Sequence, residues 1–455
     1  MESNILLGLV QEYGSPLNVL STRPMSGNAA ELSDAAVRRE IDFRLFFARK
    51  ANKCLAFVDE AIRLGAGVDV ASENELRQAL SRGAEPQDLI CTAAIKSQTL
   101  VDACIQAGRS ESVVIAIDNE DELDLVSTRA QYLNRRARIA IRLGGFSHEG
   151  KKLPTRFGFD VDRDDSIISR LDALAIRVDG LHFHLDGYDS RQRVSAISQS
   201  LHWFDTLHTA GHTPTFLDIG GGMPMSYLDD ASQWSDFWQQ LEQSLLGKRP
   251  PMTYRNNGIG LRSHHGEIVG HPDTYPNYQS PIGSKWFANV LDASHVDGTI
   301  AEAIKKRGLQ LRCEPGRSLM NGCGMTVARV EFRKRNADGD WLIGLAMNGT
   351  QCKTSTADFL VDPILIPCGE ARARQANEPA AGYLVGAYCM EEELLSLRRL
   401  QFPHGIQRGD LVVFPNTAGY QMHFMESRSH QFPLALNVVA DELVANTFAL
   451  DAIDC

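Results

Sequence analysis

Lys50, the triplet Gly220-Gly221-Gly222 and the turn Glu314-Pro315-Gly316-Arg317 fall just past the end of a short apolar run, and Arg142 and His184 each stand next to the last residue of another. Their types suit a particular chemistry. A lysine desolvated at a strand end can lose its proton and attack an aldehyde. Three consecutive glycines let backbone N–H groups approach a phosphate closely, and Arg317 offers a planar fork to its oxygens.

The runs that position these residues are Phe43 to Ala48, Val68 to Ala71, Leu89 to Thr92, Val113 to Ile117, Ala137 to Leu143, Leu181 to Leu185, Phe216 to Ile219 and Leu309 to Cys313. Read as strands alternating with helices, they predict a (β/α)₈ TIM-type barrel. Such a barrel builds its site at the C-terminal ends of its strands and often holds phosphate with the loops after strands seven and eight. Here those loops are the glycine triplet and the Glu-Pro-Gly-Arg turn. Helical period supports the alternation. Leu55, Val58, Ala61 and Ile62 share a face before Gly65, and Val194, Ile197, Leu201, Phe204 and Leu207 recur before Gly211.

At 455 residues the chain exceeds one barrel by roughly 150 to 200 residues, which predicts a second domain. Beyond Glu314 the pattern becomes short strands with turns: Met325 to Phe332, Trp341 to Ala346, Tyr383 to Gly386, Asp410 to Phe414 and Leu434 to Val439. The strand-like opening from Tyr13 to Leu20 suits the same sheet. The expected organisation is therefore a barrel over 25–320, with a discontinuous all-β domain of 1–24 and 321–455. About 90 residues separate Gly222 from Glu314, where one strand-to-strand unit needs roughly 30 to 45, so an insertion is expected around 225–300. It carries His264, His265, His271, Tyr275, Tyr278 and Trp286. No matched ligand cluster accompanies the His-His pair, so no metal is expected and a rim lid or interface loop is the reading.

Composition narrows the function. A hydrophobic fraction of 43% with 23% charged residues describes a soluble globular protein. No apolar stretch approaches membrane-span length and no basic-then-apolar leader opens the chain, which reads as cytoplasmic. A formal charge of −11, from 46 basic and 57 acidic residues, disfavours nucleic acid and anionic membrane as partners. Nine cysteines without CxxC pairs suit a reducing compartment.

An ordered set of motifs resembles the fold type III pyridoxal 5'-phosphate (PLP) decarboxylases, the diaminopimelate, ornithine and arginine decarboxylase group, which share the alanine racemase barrel. The motifs are Tyr13-Gly14-Ser15-Pro16-Leu17, Phe47-Ala48-Arg49-Lys50-Ala51-Asn52, Gly67 through Leu76, Arg156-Phe157-Gly158, Gly180-Leu181-His182-Phe183-His184, Asp218-Ile219-Gly220-Gly221-Gly222, Glu314-Pro315-Gly316-Arg317, Gly386-Ala387-Tyr388-Cys389 and Ala418-Gly419-Tyr420. The resemblance implies that Lys50 carries the cofactor, with His184 stacked on its ring. It implies that Gly220, Gly221, Gly222, Gly316, Arg317 and Tyr420 hold the phosphate. Glu314 is implied to keep the pyridine nitrogen protonated, where alanine racemases place a cation. Cys389 is implied to reach the partner subunit's cofactor in a homodimer and return a proton to the substrate Cα. His182, two residues before His184, competes for the stacking role.

Departures from the family bear on substrate. Met390 stands where an acidic residue follows the cysteine, and Asn348-Gly349 where a second acidic anchor precedes a glycine. A buried distal ammonium without its counter-charge costs several kcal/mol. Lysine, ornithine and diaminopimelate are therefore disfavoured, unless Glu391, Glu392 or Glu393 substitutes. Asp186-Gly187 replaces the usual Gly-Ser, removing a hydroxyl from the phosphate set. The leading reading is decarboxylation of an amino acid or amino-acid derivative. A PLP racemase or epimerase and a non-catalytic decarboxylase-like binding protein are the alternatives.

Overall fold

The computed structural model describes residues 3–368, 380–441 and 447–455. The chain forms two compact units, one of Met25–Pro224 with Ser280–Leu319, the other of Met1–Pro24, Met225–Gln279 and Met320–Cys455.

The first unit is an eight-stranded parallel barrel. Its strands in chain order are β1 (Phe43–Ala48), β2 (Gly67–Val70), β3 (Leu89–Cys91), β4 (Val114–Ile117), β5 (Ala137–Gly144), β6 (Ile176–Phe183), β7 (Phe216–Asp218) and β8 (Gln310–Cys313). Each pairs with the next, and β8 closes on β1. Phe46, Ile90, Val114, Ala140 and Phe216 fill the interior. Two glycines make room for the aromatics. A Cβ on Gly67 would lie 2.3 Å from the Phe46 ring, and one on Gly180 would lie 2.5 Å from that of Phe216.

The helices follow the expected stripes. Leu55–Arg63 buries Leu55, Phe57, Val58 and Ala61. Gly65, at φ +70°, ends it: its N–H and that of Ala66 donate to the carbonyls of Ile62 and Ala61, closing the last turn. The long helix Ser190–Thr209 buries Ile197, Leu201, Phe204 and Leu207, and Gly211 follows at φ +91°.

The second unit is β-rich. Leu17–Leu20 pairs antiparallel with Gly324–Arg335 and parallel with Leu436–Asp441, so the opening residues complete a sheet built by the end of the chain. Trp341–Leu345, Ala381–Val385 and Leu411–Phe414 take the remaining expected places. The short strands Ile364–Ile366, Leu400–Gln401 and Thr447–Leu450 and the helix Ser3–Tyr13 were not anticipated.

The insertion divides at a place the sequence did not indicate. Met225–Gln279 groups with the β-rich unit, and Ser280–Leu319 with the barrel. Contacts within the β-rich unit explain the first part: Trp238, Leu241 and Ile259 pack with Leu360, and the Tyr227 ring meets that of Phe359 edge-on. No helix among the described residues is long and apolar enough to cross a membrane.

Candidate active site

Lys50 lies in the single turn Arg49–Ala51 that follows β1. The turn is pinned by Arg49, whose buried guanidinium donates to the Asn52 carbonyl at 2.6 Å and to Gln78 Oε1 at 2.9 Å. Lys50 Nζ donates to Asp69 Oδ2 at 3.1 Å. Asp69 is buried in β2, and the Thr92 hydroxyl donates to its other oxygen. Burial, followed by the nearby Glu314 charge, raises the Asp69 carboxyl above its ordinary value, although Lys50 opposes the shift.

A buried polar row continues across the rim. Arg142, near the end of β5, donates from Nε to His182 Nδ1 at 3.1 Å, from Nη1 to Asp118 at 3.0 Å and from Nη2 to the Thr92 carbonyl at 2.9 Å. The Gly158 N–H also donates to Asp118, and the Arg142 guanidinium lies 5.1 Å from the Phe157 ring centroid. These contacts give the Arg156-Phe157-Gly158 motif its place. Because Arg142 occupies Nδ1 of His182, the neutral imidazole carries its proton on Nε2, which faces the Glu314 carboxylate at 3.4 Å. Burial and then Arg142 push His182 well below the ordinary histidine range, so it is neutral.

Glu314 follows β8 and is buried, with Oε1 lacking a hydrogen-bond partner. Burial raises its pKa against the opposing charges of Lys50 and Arg142. Asp218, at the end of β7, is pushed up further by burial and by Glu314.

The glycine triplet forms a close-fitting turn after β7. Gly220 and Gly222 have φ of +64° and +75°. Asp218 Oδ1 accepts the Gly220 N–H at 2.9 Å, and the Gly220 carbonyl accepts the Glu314 N–H at 2.9 Å. A Cβ on Gly221 would sit 2.8 Å from the Glu314 carbonyl oxygen, and one on Gly222 would sit 2.3 Å from Arg193 Nη2. Arg193, on the helix after β6, is buried and donates to the carbonyls of Ile219 at 3.1 Å and Gly222 at 3.3 Å. Burial lowers its pKa to about 10, so it remains a cation beneath the turn. His184 lies against the same turn, its Cε1 3.7 Å from where a Gly221 Cβ would be. Burial, then the charges of Lys50 and Arg193, lowers His184 to about 3. Gly316 is buried and Arg317 half-buried in the loop after β8, where the Ser318 hydroxyl is buried without a partner.

The barrel unit thus gathers Lys50, His184, the glycine triplet and Glu314. Cys389, Met390, Asn348 and Tyr420 belong to the β-rich unit. Cys389 and Met390 are exposed in the loop after Ala381–Val385. Asn348 is buried, and its Oδ1 accepts the Thr350 N–H at 3.0 Å, capping the turn Gly349–Cys352. Tyr420 is half-buried at φ +73°. Of the glutamates after Met390, Glu391 and Glu392 are exposed, whereas Glu393 is buried and accepts the Gly349 N–H at 2.7 Å. A cavity of about 250 Å³ lies in this unit, lined by Tyr275 and Asn277 of the insertion together with Lys353, Thr354, Glu392 and Gln421.

Asp69, Asp218 and Arg193 had no assigned role in the sequence, Arg142 was marked only by its position at a strand end, and His182 only as a rival of His184 for the ring face. All but Arg193 lie at or near strand ends on the site rim, a usable signal. Arg193 carries no such mark, because its partners are carbonyls that only the tertiary fold brings near.

A barrel of this type, with its lysine after the first strand and its glycine turn after the seventh, defines the fold type III PLP class. A sequence model of the pyridoxal binding domain of pyridoxal-dependent decarboxylases matches residues 30–250. An uncharacterized protein of Sinorhizobium fredii, y4yA, is 30% identical over 94% of this chain and 88% of its own length. Diaminopimelate decarboxylase of Pseudomonas aeruginosa is 22% identical over 92% of this chain and 86% of its own. The structure of diaminopimelate decarboxylase from M. jannaschii with L-lysine superposes with a TM-score of 0.73 at 18% identity, over 98% of this chain and 91% of that one. The chain belongs to the fold type III PLP-dependent decarboxylase family. The residues fit that family's cofactor: Glu314 Oε1 and the Ser318 hydroxyl are buried without a hydrogen bond, and the triplet turn packs so closely on Phe183, Glu314 and Arg193 that only glycine fits at its three positions.

Proposed function

We propose that the protein decarboxylates an amino acid, or an amino-acid derivative, other than a simple diamino acid. The buried Glu314 carboxylate, one oxygen of which makes no hydrogen bond, carries this reading. PLP, when bound, accepts the electron pair that the departing carbon dioxide leaves at the substrate Cα. A carboxylate at the ring nitrogen favours that role, whereas the cation expected of a racemase would weaken it.

In this reading Lys50 holds the cofactor's aldehyde carbon, and Asp69, one hydrogen bond away, orients the amine. Glu314 accepts the ring N–H, with the Nε2–H of His182 directed at the same carboxylate. His184, neutral at working pH, covers the ring face without adding a competing positive charge. The triplet, Gly316, Arg317 and Tyr420 take the phosphate, and Ser318 offers the hydroxyl that Gly187 lacks. Cys389 returns a proton to Cα from the partner subunit of a homodimer.

The β-rich unit supports the restriction on substrate. Met390 is apolar, the oxygen of Asn348 caps its own turn, and Glu393 is committed to the Gly349 N–H. Burial is also the main cause of a raised Glu393 pKa. Carbon dioxide release from a panel of D- and L-amino acids tests the proposal. One enantiomer of a neutral, acidic or conjugated amino acid should exceed lysine, ornithine and diaminopimelate in kcat/KM by roughly 10²-fold or more. Efficient release from a diamino acid would overturn the restriction and point to Glu391 or Glu392 as its anchor.

A further inference from the structure

Five arginines converge at the end of the barrel remote from Lys50 and Glu314. Arg109 lies in the segment before β4, Arg135, Arg136 and Arg138 at the start of β5, and Arg177 at the start of β6. With Ile105, Ser110, Glu111 and Ser112 they line a cavity of about 170 Å³. We propose that this cavity is a second anion site, built for a compact phosphate or diphosphate group and separate from the site at the other end of the barrel.

Charge is the first argument. Arg138 Nε donates to Asp179 at 2.6 Å and its Nη1 lies 3.3 Å from Glu111, while Arg177 bonds to Asp179 at 2.6 Å and to Glu111 at 3.1 Å. Those two carboxylates balance two of the five guanidinium charges. Arg109, Arg135 and Arg136 form no ion pair among the described residues, leaving three positive charges in one concavity of a chain whose net charge is −11.

Preorganisation is the second. Arg135 Nη1 donates to the carbonyls of Ile105 at 2.9 Å and Gly108, Arg136 Nε donates to the Ile176 carbonyl at 2.7 Å, and Arg138 Nη1 donates to the Ser112 carbonyl at 3.1 Å. Carbonyls hold Arg135 and Arg136 in place without neutralising them. Their remaining N–H groups form the kind of fork that matches a tetrahedral oxyanion. The volume decides the size of the ligand: 170 Å³ equals about five to six waters at their share of the liquid. That suits one or two phosphate groups, with any larger remainder of the ligand left in solvent. An occupant would tie together the starts of three neighbouring strands and should raise the thermal stability of the barrel.

The test uses holoenzyme, so that PLP already fills the phosphate cradle at the rim. Calorimetric titration with inorganic diphosphate and with glycerol 3-phosphate, at fixed ionic strength, should show saturable binding of one ligand per chain and an upward shift in Tm. Tighter binding of the ester would assign a phosphorylated small molecule, and tighter binding of diphosphate the free ion. Both side chains in Arg109→Gln/Arg136→Gln are exposed, so the variant should fold and keep its carboxy-lyase activity, yet bind about tenfold or more weakly. Hydrogen exchange on the wild type provides a readout that needs no variant, with protection expected over 109–112. Absence of saturable binding, equal binding of sulfate and citrate, unchanged affinity in the variant, or no protection over 109–112 would each overturn the proposal.

Discussion

If Lys50 holds the cofactor as proposed, Lys50→Ala should abolish the covalent attachment of PLP and reduce turnover by on the order of 10³-fold or more, because the covalent link that presents the aldehyde carbon to the substrate amine is lost. Borohydride treatment followed by intact-mass measurement should fix a cofactor to the wild type and none to the variant. A cofactor still fixed to Lys50→Ala would assign its attachment to another lysine. Lys50 pairs with the buried Asp69, 3.1 Å away, and a Tm of Lys50→Ala close to that of wild-type apoprotein would show that the loss is chemical rather than structural. The same variant tests assembly. Mixed with Cys389→Ala under conditions that exchange subunits, it should recover about a quarter of wild-type activity, since half of the dimers are mixed and each contains one intact shared site. No recovery despite demonstrated exchange would place the whole site within one chain, or make Cys389 a packing residue.

Glu314→Gln should separate activity from stability. An amide cannot hold a proton on the ring nitrogen, and kcat/KM should fall by roughly 10² to 10⁴-fold. Stability should move the other way. A carboxyl whose pKa is raised in the fold binds its proton more tightly folded than unfolded. Its ionisation therefore erodes stability as pH rises from the ordinary glutamate value through the raised one. Glutamine removes that slope, so the apoprotein of Glu314→Gln should melt higher than wild-type apoprotein at neutral pH. A variant with wild-type kcat/KM would remove Glu314 from the ring nitrogen. A lower Tm at neutral pH would show that the carboxylate is compensated in the fold rather than awaiting a partner.

These residues were legible because barrel chemistry sits where strands end, and strand ends are marked by Gly, Pro and charged residues after apolar runs. The run Phe43 to Ala48 was recovered with its bounds unchanged, and with it the place of Lys50. β6 was read too short, from Leu181 rather than Ile176, because Arg177 and Asp179 interrupt its apolar character. They are tolerated there because they pair with each other at the open end of the barrel. Gly324–Arg335 likewise runs past Phe332, since Arg333, Lys334 and Arg335 pair with Trp341 to Ile343 in an exposed hairpin that asks nothing apolar of them. The destination of Met225–Gln279 could not be read at all. Its Trp238 and Leu241 are ordinary core residues in sequence, and only the folded chain supplies Leu360 as their partner. Arg193 was lost for a related reason, as a buried cation answered by carbonyls of a turn more than 25 residues away rather than by a carboxylate.

Turnover in heavy water measures the central claim most directly. The panel's best substrate should yield carbon dioxide and amine in equal amounts, with a single solvent deuteron at the former Cα. Unreacted amino acid should keep its hydrogen and its configuration. Amino acid of both configurations labelled at Cα, without matching carbon dioxide, would contradict decarboxylation and assign the site to racemisation.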